Sequence, residues 1–262
     1  MRFKALRALR WTATVVVTLV ALTFAALWQQ KYARHADASP LAIAAATPDD
    51  EVKVEFGEYL TFRPLRGPER LGVIFYPGAF TDIRGYAPTL RSVAAAGYRV
   101  IAVPMPFELA ILSTDRAAGV LAANADMKHW AIIGHSVGGT AAAIFANAHR
   151  DALDGVIIWD SFPPTFASLA DWQKPVWQIH RAKLDGAPPE TFARQRHLFP
   201  PGSRWVPIPG GIHMNFGAFS GGGYKEDWAP EIDQSAQHKL VVAATLEALA
   251  EIERAGKPTP AP

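Results

Sequence analysis

The segment Trp130-Ala131-Ile132-Ile133-Gly134-His135-Ser136-Val137-Gly138-Gly139 runs from an apolar stretch, through a glycine-flanked serine, into the small and apolar residues 140–146. The apolar stretch reads as a strand buried on both faces, and the alanine-rich run reads as a helix packed closely on a sheet. A strand reversing into a helix over so few residues forces the residue at the bend into a strained backbone conformation, and glycines on either side relieve the crowding. In that setting Gly134-His135-Ser136-Val137-Gly138 is a G-x-S-x-G nucleophile elbow, with the Ser136 hydroxyl held out for attack.

Outward from the elbow the alternation continues. Residues 71–76, 99–103, 155–159, 176–179 and 205–208 are short apolar runs that read as strands, while 86–96, 115–124, 189–198 and 234–254 have helical composition. Ahead of them, 52–56 and 59–62 read as an antiparallel hairpin around Gly57. The order implies an α/β fold: a mostly parallel twisted sheet with helices on both faces and ligands held at the carboxyl ends of the strands. The loop between Ser161 and Lys174 is too short for a large helical cap, so little or no cap is expected over the site.

The chain has 262 residues, half of them hydrophobic, which is enough for one substantial core. A formal charge of +2, with the basic excess near the N-terminus, does not suggest a nucleic-acid surface. The absence of cysteine excludes disulfides, Cys-ligated zinc and a thiolate nucleophile. Residues 11–28 carry no charge, and as a helix they would reach about 27 Å against a hydrocarbon thickness of about 30 Å. Arg2, Lys4, Arg7 and Arg10 precede this stretch, so the positive-inside bias favours a cytoplasmic N-terminus and an extracytoplasmic domain. A retained membrane anchor over 1–30 is the expectation, because the apolar run ends in Leu27-Trp28-Gln29-Gln30 rather than a small-residue cleavage site; secretion after signal-peptide cleavage is the alternative. Residues 31–50, alanine-rich with Pro40 and Pro48, read as a linker, 51–256 as the catalytic domain and 257–262 as a tail.

A serine hydroxyl is a poor nucleophile at neutral pH and needs a base, itself oriented by an acid. Of the eight histidines, His213 is the best base: it lies on a glycine-rich loop after the last strand, in Gly210-Gly211-Ile212-His213-Met214-Asn215-Phe216-Gly217. His135 reads as packing, and His35, His129, His149, His180, His197 and His238 as solvent-facing or helix-surface residues. Two carboxylates can reach His213 as the acid: Asp185, after the 176–179 strand, and Asp160, ending the 155–159 strand.

At these residues the chain resembles the α/β-hydrolase superfamily, and within it the broad bacterial group called alpha/beta hydrolase family 5. The likeness runs from about Leu71 to the C-terminal helix and is carried by Val73-Ile74-Phe75-Tyr76-Pro77-Gly78-Ala79, Gly85-Tyr86-Ala87-Pro88, Val103-Pro104-Met105-Pro106, the elbow, and Gly210-Gly211-Ile212-His213. The resemblance implies Ser136 as nucleophile, His213 as base and an acid in the loop holding Asp185. His180-Arg181-Ala182-Lys183-Leu184 intervene where relatives usually carry a glycine, so Asp185 is the first choice and Asp160 the alternative. Ala79 and Val137 offer backbone N–H groups for an oxyanion hole. Phe80, Trp159, Phe162, Phe166, Trp172, Phe216, Phe219, Tyr224 and Trp228 fall near the active end, as an apolar acyl pocket or as core.

The expectation is a membrane-anchored serine hydrolase without cofactor or metal that cleaves small-molecule carboxylic esters, the acyl group apolar. A non-catalytic binding or scaffold protein of the same fold, and an amidase or acyltransferase using the same triad, are the alternatives.

Overall fold

The structure, a computed structural model, describes residues 2–256, so the expected 257–262 tail lies outside the described residues. The chain opens with helix α1 (Arg2–Arg34), strand β1 (Ala36–Ala38) and helix α2 (Pro40–Ala45), and a hairpin of β2 (Val52–Phe56) and β3 (Leu60–Pro64) follows. Then come β4 (Gly72–Tyr76), α3 (Ala87–Ala95), β5 (Arg99–Ala102), α4 (Arg116–Ala123), β6 (Trp130–His135), α5 (Val137–Ala148) and β7 (Gly155–Trp159). The chain closes with β8 (Val176–Ala182), α6 (Glu190–Gln195), β9 (Arg204–Pro209), β10 (Phe219–Gly221) and α7 (Gln234–Gly256).

Eight strands form one sheet in the order β2-β3-β5-β4-β6-β7-β8-β9. From β5 to β9 neighbouring strands are parallel, and the opening hairpin joins the edge antiparallel. Alternation of side chains across a strand explains why the central strands are apolar throughout. Val73 and Phe75 pack with Leu90, Val241 and Leu249 from α3 and α7, whereas Ile74 and Tyr76 pack with Val120, Ala142 and Phe145 from α4 and α5. A single core on each face thus fixes the sheet, and the loops at its carboxyl edge stand on a rigid base. Between β7 and β8 only a short 3-10 turn, Thr165–Ala167, intervenes, so no helical cap covers that edge.

Residues 31–50 are folded rather than a linker. β1 pairs antiparallel with β10, Ala36 lying opposite Gly221. Ala36 N–H donates to Phe80 O at 2.8 Å, and Asp82 N–H donates to Ala36 O at 2.9 Å. In α2 the Ser39 hydroxyl caps the Ala42 N–H at 3.3 Å, Pro40 occupies the first turn, where its missing N–H costs nothing, and Ala42 is buried. The alanine-rich composition of this stretch hid two short elements whose bonds are nearly all backbone.

Within α1, Arg10–Arg34 holds an apolar window of mean hydropathy 1.9 in which no residue is buried by the rest of the chain. It is long and apolar enough to cross a membrane, and its length and composition suit an anchor or a signal sequence equally. Its C-terminal half does touch the domain: the Phe24 ring meets Phe107 edge-on at 5.3 Å, and Lys31 Nζ and His35 Nδ1 lie 2.9 and 2.7 Å from the Glu108 carboxylate.

Candidate active site

Ser136 sits between β6 and α5 with φ 55° and ψ −127°, a conformation that costs a non-glycine residue energy and is held by its surroundings. Its N–H donates to Trp159 O at 3.0 Å, and its carbonyl accepts from Gly139 and Thr140. The bend is too tight for side chains on either side. A Cβ on Gly134 would lie 2.2 Å from Gly138 O, and one on Gly138 would lie 2.2 Å from Tyr76 O. The hydroxyl is left at the mouth of a cleft, partly exposed.

His213 follows β9 and is buried. Its Nε2 lies 2.9 Å from Ser136 Oγ. The backbone that carries it is clamped by Glu226, whose carboxylate accepts from His213 N–H at 2.9 Å and from Met214 N–H at 2.7 Å. The imidazole is stacked on the Tyr224 ring, centroids 4.2 Å apart.

The carboxylate beside it is that of Asp160, the alternative, and not that of Asp185, the first choice. Asp160 Oδ2 lies 2.5 Å from His213 Nδ1. Asp185 is exposed on the turn after β8, where its Oδ1 accepts the Ala187 N–H at 2.9 Å. The reason lies in strand length. β8 runs to Ala182, three residues beyond its expected end, and carries Asp185 past the sheet edge, whereas β7 stops at Trp159 and leaves Asp160 next to the elbow. Asp160 adopts φ 48°, a left-handed conformation that aspartate tolerates better than most side chains.

Asp160 is only 2 % exposed. Burial pushes its carboxyl pKa up, but the hydrogen bond from His213 and the charge of nearby Arg181 outweigh this and hold it well below the usual carboxylate range. As an anion it only accepts hydrogen bonds, so Nδ1 of His213 carries the proton and Nε2 is free to accept one from Ser136. Arg181 on β8 completes the acid's environment. Its N–H donates to Asp160 Oδ1 at 2.9 Å, its Nη1 donates to Oδ2, and its Nη2 donates to Asp227 at 2.5 Å. Sequence reasoning passed over Arg181, although a cation inside a strand pattern is a signal, since a buried guanidinium needs a buried partner.

Two residues that line the cleft have backbone N–H groups without a protein acceptor among the described residues. Gly78 N–H donates to Tyr86 Oη at 2.9 Å and Phe80 N–H to Glu108 O at 3.0 Å, which leaves that of Ala79 between them. Val137 opens α5, so its N–H has no intrahelical acceptor and the helix dipole favours an anion there. Both residues line a cleft of about 500 Å³ together with Ser136, His213, Phe80, Leu109 and Tyr224.

Tyr86 Oη accepts the Gly78 N–H and lies within hydrogen-bond distance, 2.8 Å, of His135 Nδ1. Burial, reinforced by His213, pushes the His135 pKa well down, and the ring is a neutral packing element as expected. His180 and His238 are buried too, contrary to a solvent-facing reading. Of the aromatic residues expected near the site, Phe80 and Tyr224 line the cleft, whereas Trp159, Trp172 and Phe216 belong to the core. Among the described residues no group of three or more His, Asp or Glu side chains is arranged to hold a metal ion.

A family model described as the alpha/beta hydrolase family matches residues 72–239, which include every residue of the site. The chain belongs to this family. No curated protein matches it. Among solved structures it is similar to a ferulic acid esterase from Streptomyces cinnamoneus, with 19% identity, TM-score 0.53, and 76% of this chain and 71% of that chain covered. It is also similar to a proline iminopeptidase of Mycobacterium smegmatis (14% identity, TM-score 0.52, 79% and 100% covered) and to a bacterial membrane phospholipase A (11%, 0.52, 94% and 99%). At such identities these likenesses establish the hydrolase fold, and activity has to be argued from the site.

Proposed function

We propose that this alpha/beta hydrolase is a serine hydrolase that cleaves carboxylic esters through an acyl-enzyme. The observation that carries this reading is the unbroken line from Ser136 Oγ to His213 Nε2, 2.9 Å, and from His213 Nδ1 to Asp160 Oδ2, 2.5 Å. In the first half-reaction Ser136 Oγ attacks the acyl carbon while Nε2 takes its proton, and the N–H groups of Ala79 and Val137 receive the charge that develops on the carbonyl oxygen. The C–O bond to the alcohol then breaks, and the imidazolium returns its proton to the departing oxygen. Water repeats the sequence on the acyl-serine, releasing the acid and restoring the hydroxyl. Asp160 keeps the imidazole in the productive tautomer throughout. No cap excludes bulky substrates, which suits an ester whose acyl group lies along Phe80 and Leu109.

The same reading retains α1 as an anchor with the domain outside the cytoplasm. The contacts of Phe24, Lys31 and His35 with the 107–108 segment support retention, since loss of α1 would uncover them.

A fluorophosphonate probe tests the chemistry. Labelling of the full chain that disappears in Ser136→Ala supports the nucleophile, and equal labelling of both would remove it.

A further inference from the structure

The end of α1 and the mouth of the cleft are built from the same residues. Arg34, the last residue of the helix, lines the cleft, and its carbonyl accepts the N–H of Gly223 at 3.3 Å, one residue before the tyrosine stacked on His213. Ala36 is bonded on its other side to Phe80, beside Ala79. The chain leaving the apolar helix is therefore held between the two loops that form the cleft.

Another part of the lining leads to the helix. Leu109 lines the cleft, and Phe107, two residues earlier, meets Phe24. Phe24 precedes Arg34 by ten residues, about 15 Å of helix rise, so this part of the lining runs beside the last turns of the apolar stretch. In the same segment Ile111 and Leu112 are 43 % and 49 % exposed although apolar. Lipid around α1 would cover them as it covers the helix. The charge of the cleft is one-sided. Arg34 and Lys225 line it, neither side chain has a carboxylate partner among the described residues, and no Asp or Glu is among the lining residues.

We propose that the cleft draws its ester from the bilayer that surrounds α1, and that the substrate is an acyl ester of an anionic amphiphile, its apolar chain along Phe80 and Leu109 and its negative group on Arg34 and Lys225. This rests on the serine-hydrolase reading above.

The full chain is reconstituted into vesicles holding equal parts of phosphatidylglycerol and phosphatidylcholine with matched acyl chains, so that both esters share one surface, and the two lysolipids are quantified by mass spectrometry. The expected result is about fivefold or greater preference for the anionic ester, the size of one partly screened charge pair, falling to about one in Arg34→Gln/Lys225→Gln. A wild-type ratio near one, or a ratio unmoved by the double variant, overturns the proposal. Release from neither lipid by a chain still labelled at Ser136 also overturns it, whereas loss of the label refutes the underlying reading as well.

A second measurement does not depend on turnover. Leu112→Cys introduces the only cysteine in the chain. Labelled with an environment-sensitive dye, it is expected to shift to the blue in vesicles and to be quenched by nitroxide-bearing lipid. Emission that stays at its aqueous value and resists quenching would show the rim in water and overturn the proposal.

Discussion

Arg181 Nη1 stands 3.4 Å from His213 Nδ1, and both nitrogens aim at the same oxygen, Oδ2 of Asp160. Neither nitrogen is an acceptor when Nδ1 carries its proton, so the approach is two donors converging on one carboxylate. Asp160 is thereby fixed from two sides. Arg181 extends the link to Asp227, which follows the glutamate that clamps His213.

Replacing Asp160 tests the acid. Asp160→Asn is expected to lower kcat by about 10⁴-fold, as loss of the correct imidazole tautomer does in other triads. Asp185→Asn should stay within about twofold of wild type, as expected for an exposed turn residue. Steady-state kinetics on a short ester, with circular dichroism to check folding, decides between them. A larger loss from the second variant would restore Asp185 as the acid.

Arg181→Met removes the cation and leaves Asp160 buried with one strong partner. Breaking a buried pair from one side costs about 3–5 kcal/mol, and urea denaturation should show a loss of that order. Because Arg181 positions the acid and does not reach substrate, kcat should fall with KM little changed. Arg181→Lys should recover part of the stability but not the forked geometry.

The acid side of the stability profile follows from Asp160. Its folded pKa lies below the unfolded value of about 4, so its ionised form contributes stability above that pH, and the contribution is lost as pH falls toward the folded value. Unfolding free energy should drop steeply below about pH 4 in the wild type and more gently in Asp160→Asn, measured by urea titration across that window. Parallel slopes would contradict this.

Tyr86→Phe removes a hydroxyl that bonds Gly78 N–H and His135 Nδ1, leaving two buried groups unpaired. A loss of about 1–3 kcal/mol is expected, read as a shift of the urea midpoint. Gly138→Ala should be worse. Its Cβ would lie 2.2 Å from a backbone carbonyl that cannot swing aside, so little folded protein is expected from soluble expression.

The parallel sheet and the elbow were legible because they rest on local signals: apolar runs of strand length, alternating helical segments, and glycines flanking Ser136. His213 was legible for a related reason, since a glycine-rich loop after the last strand points back to the elbow. The acid was not, because its place depends on where β7 and β8 end, and the polar residues His180 and Arg181, which extend β8, look like loop in sequence. Both are buried instead, and Arg181 is held by bonds to the distant Asp160 and Asp227. β1 and β10 escaped notice because three-residue strands have no periodicity to read. Their pairing is set by backbone atoms, which every sequence supplies.

That pairing decides how the domain can be shed from its helix. Ala36, Asp37 and Ala38 are zipped to Gly221, Ser220 and Phe219, so proteolysis ahead of His35 would release a body with its seam closed. A cut only a few residues later would open the seam on both the histidine side and the oxyanion side at once. A cut ahead of Ala36 would therefore take the cleft's Arg34 away with the helix and leave β1 paired, whereas a cut within Ala36 to Ala38 would unpair it as well.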